Sequence, residues 1–100
     1  MARWSEEDLT IAIEFYETCP ERMHTDSHDK CVELARLLGR TPGALDRIIR
    51  NIKYADGAGA GLEHASELIY ELVGRPRKTL LQQAAVIRQN RGWPPLDCSD

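Results

Sequence analysis

Residues 35–48 read ARLLGRTPGALDRI, and this stretch decides the fold that the sequence predicts. Two helices that meet at about 90–120° are joined by a tight turn in which glycine is common. They also need a small residue at the crossing and apolar residues on the second helix. Ala35 is the small residue, and Gly39 follows four residues later. Leu45 and Ile48 come six and nine residues after that glycine, so the spacing predicts two helices packed across this turn.

Apolar stripes and end signals define the helices on either side of the turn. The first helix has four apolar residues at i, i+3, i+4 and i+7, namely Cys31, Leu34, Ala35 and Leu38. Gly39 is typical of a helix end, Thr41 of an N-cap and Pro42 of a first helical position. The second helix has an apolar face made of Leu45, Ile48, Ile49 and Ile52. We expect one helix from Asp26 or Ser27 to Gly39 and another over about 42–54.

Three more helices are predicted outside this pair. Ser5 is a good N-cap for a first, mostly buried helix that should end near Cys19, before Pro20. Apolar spacing predicts a fourth helix at about 63–73 and a fifth at about 77–91.

The fold class follows from these elements. The sequence shows no strand-like alternation and no internal repeat, so we expect an all-α fold. The helix-turn-helix over residues 27–54 and the first helix would form a three-helix core, with about two additional C-terminal helices. One hundred residues suffice for a single domain over 1–100.

Composition and cysteine usage favour a cytoplasmic protein. No apolar run approaches the roughly 20 residues that a membrane span needs, so no membrane partner is expected. Glu6, Glu7 and Asp8 stand where a signal peptide would be basic and then apolar. The chain has three cysteines and no CxxC pair. An odd count in a small chain is not typical of a disulfide framework and suits a reducing compartment, with each cysteine as a small hydrophobic residue.

Charge is distributed unevenly along the chain, although the net charge is −3. Residues 1–30 carry eight acids and three bases, a balance of −5. Residues 36–53 carry five bases and one acid, a balance of +4, and residues 75–91 carry five bases and no acid. A local basic face matters more for phosphate contact than the sum over the chain. The second basic segment is either another phosphate-contacting surface or a charged helix exterior or subunit interface, and the sequence favours the latter.

Three resemblances point to DNA. The spacing from Ala35 through Gly39 to Ile48 resembles the helix-turn-helix signature of bacterial and phage regulators. Residues 3–8 (RWSEED) are similar to the Trp-Ser/Thr-x-Glu-Glu opening of Myb/SANT-type domains, whose third helix binds DNA. Residues 3–72 resemble the small N-terminal helical domain of some bacterial HNH-endonuclease-type proteins. That likeness is carried by Trp4, Glu7, Leu9, Ala12, Tyr16, Leu38-Gly39-Arg40-Thr41-Pro42-Gly43-Ala44, Gly61, Leu62, Ala65 and Ser66. The chain has no His-Asn-His set, so the resemblance implies a DNA-associated module without nuclease activity.

The candidate DNA contacts lie on and before the second helix of the pair. Arginine can grip guanine O6 and N7 in the major groove, and asparagine can grip adenine N6 and N7. Arg47, Arg50 and Asn51 are therefore the candidates for base contacts. The helix start, with its amides, suits a phosphate. The predicted DNA-binding residues are Arg40, Thr41, Gly43, Arg47, Arg50, Asn51 and Lys53. Asp46 on the same face would repel phosphate unless it pairs with Arg50 or reads a cytosine amino group.

Metal and enzyme chemistry find little support in the sequence. Cys19, His24, His28 and Cys31 form the one cluster with metal-ligand character, but its spacing matches no common zinc module, and Cys31 belongs to an apolar stripe. His64 and Glu63 are adjacent and so point to different faces of a helix. No nucleophile elbow, HExxH or Walker sequence is present. We expect no cofactor, no bound metal and no enzymatic activity.

The sequence therefore predicts a DNA-binding helix-turn-helix protein, either a prokaryotic or phage regulator or a targeting module. Its partner would be double-stranded DNA, and a homodimer is plausible because one helix-turn-helix reads few base pairs. The alternative is a protein-interaction adaptor with the same helical fold, in which the acidic first helix binds a basic partner.

Overall fold

Five α-helices make up most of the computed structural model, which describes residues 3–58 and 65–99. They are α1 (Glu6–Thr18), α2 (Asp29–Leu38), α3 (Pro42–Ala55), α4 (Glu67–Val73) and α5 (Arg77–Arg91), with a 3₁₀ turn at Glu21–Met23. No strand occurs in these two segments, so the predicted all-α class is confirmed. No helix in the same segments is long and apolar enough to cross a bilayer.

Helix α1 lies at the centre of the fold and packs against α3, α4 and α5. Its N-cap is Ser5, as predicted, and the Ser5 hydroxyl accepts a hydrogen bond from the Asp8 amide at 3.0 Å. Residues 9–15 are all buried, because neighbouring helices cover more than one side of the helix. The predicted end near Cys19 is confirmed, since Cys19 is the C-cap.

The α2–α3 pair has the turn that the sequence predicts. Gly39 adopts a left-handed conformation with φ +69°, which favours glycine. The Arg40 amide donates to the Ala35 carbonyl at 2.9 Å, and the Gly39 amide donates to the Arg36 carbonyl at 3.1 Å. These two bonds form a Schellman motif that closes the C-terminus of α2.

Apolar contacts hold the two helices of this pair together. Ala35 is fully buried beside the buried face of α3, which consists of Leu45, Ile49 and Ile52, and Ile48 is half-buried. The predicted start of α2 is wrong by two or three residues. The helix begins at Asp29, because the His28 ring Nδ1 serves as the N-cap and accepts from the Lys30 amide at 3.0 Å.

The C-terminal helices follow the prediction at one helix and differ at the other. Helix α5 has the predicted bounds, between Pro76 and Gly92. Helix α4 begins at Glu67, because the Ser66 hydroxyl caps it by accepting from the Ile69 amide at 3.3 Å. The predicted helical residues 63 and 64 lie outside the described segments.

Ion pairs join the acidic α1 to the basic C-terminal segment. All five acidic residues of α1 are paired with arginines of α5 or of the turn before it. The pairs are Arg75–Glu6 (2.9 Å), Arg91–Glu7 (3.0 Å), Arg91–Asp8 (2.8 Å), Arg88–Glu14 (2.7 Å) and Arg77–Glu17. The Arg88–Glu14 pair is buried, with side chains 5% and 10% exposed. The second basic segment is thus largely an internal packing surface that neutralises the charge of α1.

A disulfide links Cys19 at the end of α1 to Cys98 in the C-terminal tail, with the two Cα atoms 5.2 Å apart. The expectation of three reduced cysteines is therefore wrong, and Cys31 alone of the three is a buried thiol. The disulfide requires the C-terminal tail to lie close to the end of α1. Arg88 contacts the tail by donating to the Pro94 carbonyl at 3.2 Å. Because disulfides persist in oxidising environments, cysteine usage no longer supports the cytoplasmic expectation.

The disulfide should contribute substantially to stability, because it closes a long loop. The bonded cysteines are 79 residues apart, and chain-entropy arguments assign a loop of this length about 4 kcal/mol. We expect reduction to lower the free energy of unfolding by about that amount in urea denaturation. The reductant should have no further effect on the Cys19→Ser/Cys98→Ser variant. Equal denaturation midpoints with and without reductant in the unmutated chain would contradict this prediction.

Two glycines near the turn should respond in opposite ways to alanine. Gly39→Ala places a Cβ in the left-handed region and is expected to cost about 1 kcal/mol. Gly43→Ala, in the first turn of α3 with open space around it, should stabilise by roughly 0.5 kcal/mol, because alanine restricts the unfolded chain. Urea denaturation of both variants measures the difference. If both variants change the free energy of unfolding in the same direction, a left-handed Gly39 together with a helical Gly43 is ruled out.

Candidate nucleic-acid interface

The outward face of α3 lines a shallow groove together with the segment before α1 and the loop before α2. Its lining residues are Trp4, Asp26, Thr41, Gly43, Ala44, Asp46, Arg47, Ile48 and Arg50. Four of the seven predicted DNA-binding residues, Thr41, Gly43, Arg47 and Arg50, are brought together here. Asn51 is half-buried and lines a neighbouring groove with Arg3, Trp4 and Leu68. Arg40 and Lys53 line neither groove, and both make contacts within the protein.

Arg40 connects the turn to the N-terminal segment. Its guanidinium carbon lies 4.5 Å from the ring centroid of Trp4, and its Nη2 donates to the Arg3 carbonyl at 2.9 Å. The same nitrogen is 3.9 Å from a carboxylate oxygen of Asp8, and the Arg40 side chain is only 14% exposed. No local pattern indicates this role, because Trp4 and Asp8 become neighbours of Arg40 only when the chain folds.

The C-terminal end of α3 is tied to α1 and the 3₁₀ turn. Lys53 Nζ donates to Glu21 Oε1 at 2.6 Å, and this hydrogen bond lowers the pKa of the Glu21 carboxyl. The Tyr16 hydroxyl donates to Asp56 Oδ2 at 3.0 Å. Burial, reinforced by the Asp56 carboxylate, raises the pKa of Tyr16 to about 12. Lys53 thus forms a surface ion pair with Glu21, at the end of α3 remote from Thr41.

Arg47 and Arg50 are the exposed cations of the groove. Arg47 is exposed, and its side chain forms no hydrogen bond or ion pair with any residue in 3–58 or 65–99. Arg50 is also exposed, with 63% of its side chain accessible, and its Nε donates to Asp46 Oδ1 at 3.1 Å. The structure thus pairs Asp46 with Arg50, which is one of the two roles that the sequence left open for this acid.

The N-terminus of α3 offers less to a phosphate than the sequence suggested. The Thr41 hydroxyl accepts from the Ala44 amide at 3.1 Å, and the Thr41 carbonyl accepts from the Leu45 amide at 3.1 Å. Pro42 has no amide hydrogen. The Gly43 amide is therefore the remaining donor of the first turn, and Gly43 is exposed with no side chain to obstruct an approach.

The four residues of the candidate metal cluster have other roles. The Cys19 sulfur is bonded to Cys98, and the His24 Nε2 donates to the Cys19 carbonyl at 2.9 Å. His24 also packs against the Phe15 ring with centroids 5.2 Å apart, and burial lowers its pKa. His28 caps α2. Burial raises the pKa of Cys31 to about 11, as expected for a thiol in the core. No group of three metal-ligating side chains occurs among the described residues.

Comparison with known proteins identifies no family for the chain. No protein-family model, curated protein or solved structure matches the chain. Any function must therefore be argued from the chain's own residues and their geometry.

Proposed function

We propose that the chain binds double-stranded DNA as a helix-turn-helix protein, with α3 in the major groove. The observation that carries the proposal is the outward face of α3, the helix that follows the tight Gly39 turn, on which Arg47 and Arg50 are exposed. In helix-turn-helix proteins the second helix of the pair enters the major groove and the first crosses the backbone. Here α2 would be the crossing helix, and α1 would complete the three-helix core.

The packing of α3 leaves one face available for this role. Leu45, Ile49 and Ile52 are buried, and α3 packs against α1, α2 and α4 through that side. Gly43, Arg47 and Arg50 follow i, i+4 and i+7 spacing, so they share the opposite, exposed side. An α-helix presented in this way fits the width of the B-DNA major groove.

The acidic net charge does not oppose the proposal as strongly as the sequence suggested. All five carboxylates of α1 are in ion pairs with arginines of the C-terminal segment, so their fields are largely compensated within the protein. At physiological ionic strength the Debye length is about 8 Å, so the charges close to the bound phosphates dominate. Near the groove those charges are the cations Arg47 and Arg50 and the acids Asp26 and Asp46. Asp46 is paired with Arg50.

Arg47 and Arg50 are the residues expected to reach base edges, with Asn51 beside them. Thr41 and Gly43 lie where the helix start would approach a phosphate. Arg40 and Lys53 would act indirectly, through the contact of Arg40 with the Arg3 carbonyl and the surface ion pair of Lys53 with Glu21. A homodimer would supply a second half-site. The protein would act as a prokaryotic or phage regulator or as a targeting module.

The interaction-adaptor alternative was based on the acidic residues of α1, and the structure pairs those residues within the chain. That hypothesis requires the acidic face of α1 to bind a basic partner. In the structure the arginines of this chain's own C-terminal segment already occupy those carboxylates. A basic partner would have to displace them, including the buried pair between Arg88 and Glu14.

Salt-dependent binding to duplex DNA tests the proposal. We expect measurable affinity of the chain for a random-sequence duplex at low salt by fluorescence anisotropy. The Arg47→Ala/Arg50→Ala variant should bind more weakly, and its slope of log affinity against log salt should fall by about 1 for each arginine that contacts a phosphate. On a random-sequence duplex without a matched base, binding depends on phosphate contact, and this variant removes the two exposed positive charges of the groove.

Lys78→Ala is the matched control, because Lys78 is an exposed cation on α5, which does not line the groove. It should leave affinity and salt slope unchanged. The proposal is wrong if the unmutated chain shows no binding at low salt, or if the double variant and the control behave alike.

A further inference from the structure

We infer that Asp46 is a positioning residue that holds Arg50 in the orientation needed to read a guanine. The inference rests on the proposed DNA-binding function and deepens it, because it assigns a base preference to one side chain. The sequence spacing indicated a possible Asp46–Arg50 pair. The second contact of Asp46, with the Asp26 amide in the loop before α2, appears only in the structure.

Asp46 is anchored at both carboxylate oxygens. Oδ2 accepts a hydrogen bond from the Asp26 backbone amide at 3.1 Å, and Oδ1 accepts from Arg50 Nε at 3.1 Å. The Asp46 side chain is 17% exposed, in contrast to 63% for Arg50. Most i,i+4 pairs on a helix surface join two side chains that both move in solvent. Here one partner is fixed by the backbone of a neighbouring loop, so the other is held against a stationary group.

The contact leaves the recognition end of Arg50 available. A guanidinium has five N–H donors in one plane, and the bond to Asp46 uses the single donor on Nε. Four donors on the two Nη atoms remain, and no described residue accepts a hydrogen bond from them. Two parallel N–H groups of this kind match guanine O6 and N7, which are acceptors side by side in the major groove.

Arg47 provides the contrast within the same groove. The residues one turn away from it are Gly43 and Asn51, neither of which is an acid. Arg47 therefore keeps the rotamer freedom of a long side chain and must give it up on binding. Arg50 has already lost part of that rotamer freedom in the DNA-free protein, because its Nε is bound to Asp46. Prior ordering of this kind favours a contact that depends on direction, such as a bidentate base contact, over a diffuse contact with phosphate.

The sign of the Asp46 charge supports a role in specificity. A carboxylate beside two arginines repels DNA phosphates and so weakens binding to every sequence. Its removal should strengthen non-specific binding while releasing Arg50 from its fixed orientation. A residue that merely supported the helix would not produce these two opposite effects.

Selection from a randomised duplex library tests the inference. The unmutated chain should enrich duplexes with an invariant guanine at one position in each half-site. Asp46→Ala should bind random duplex at least as tightly, yet its preference for that guanine should fall about tenfold, within the usual range for a bidentate base contact. Arg50→Ala should show the same fall in guanine preference. Asp46→Asn keeps an acceptor for the Asp26 amide, so it separates anchoring of the loop from the charged contact with Arg50.

Glu33→Ala is the matched control, since Glu33 is an exposed acid on α2 that does not line the groove. It should preserve the guanine preference. Thermal unfolding identifies any variant that fails to fold, and Asp46→Asn decides the case if Asp46→Ala is unfolded.

The outcomes separate this inference from the proposed function. If the unmutated chain binds no DNA at low salt, both are wrong. If it binds DNA without any base preference, or if folded Asp46 variants keep the same guanine preference, the role of Asp46 is wrong and the DNA-binding function stands. Loss of all DNA binding in a folded Asp46→Ala protein would also overturn the inference.

Discussion

The buried ion pair between Glu14 and Arg88 is the contact on which the arrangement of the chain depends. It joins the middle of the central helix α1 to the last turn of α5, at 2.7 Å and nearly without solvent. Removing one partner from such a pair costs about 3–5 kcal/mol, because the other charge is left buried. Arg88 also donates to the Pro94 carbonyl and accepts from the Trp93 amide through its own carbonyl. One side chain and its peptide group thereby fix the position of α5 and the direction of the tail.

Local signals predicted the helices well, and long-range contacts explain what they missed. Pro76 and Gly92 bound α5 where the sequence placed its ends, because both residues act through local backbone geometry. The start of α2 shifted because His28, an uncommon N-cap, replaced Asp26 or Ser27. The Cys19–Cys98 bond could not be predicted from spacing, since it requires the packing of α5 and the tail together.

The candidate site was also predicted only in part, because long-range contacts place some of its residues. Arg47 and Arg50 could be assigned to the outer face of α3, because helical periodicity places them opposite the apolar residues. Arg40 is also close to the turn in sequence, yet Trp4 and Asp8 draw it into the protein. Helical periodicity predicts the face of the helix from which a side chain projects. It does not give the partners that reach it from other parts of the chain.

The link between Cys19 and Cys98 also changes the topology of the molecule. The backbone between these residues and the disulfide together form a closed covalent ring, which contains α2, α3, α4 and α5. A single peptide-bond cleavage within that ring opens it without separating the two pieces. Both parts of a nicked chain, including the α2–α3 pair and α5, would stay in one molecule until the disulfide is reduced.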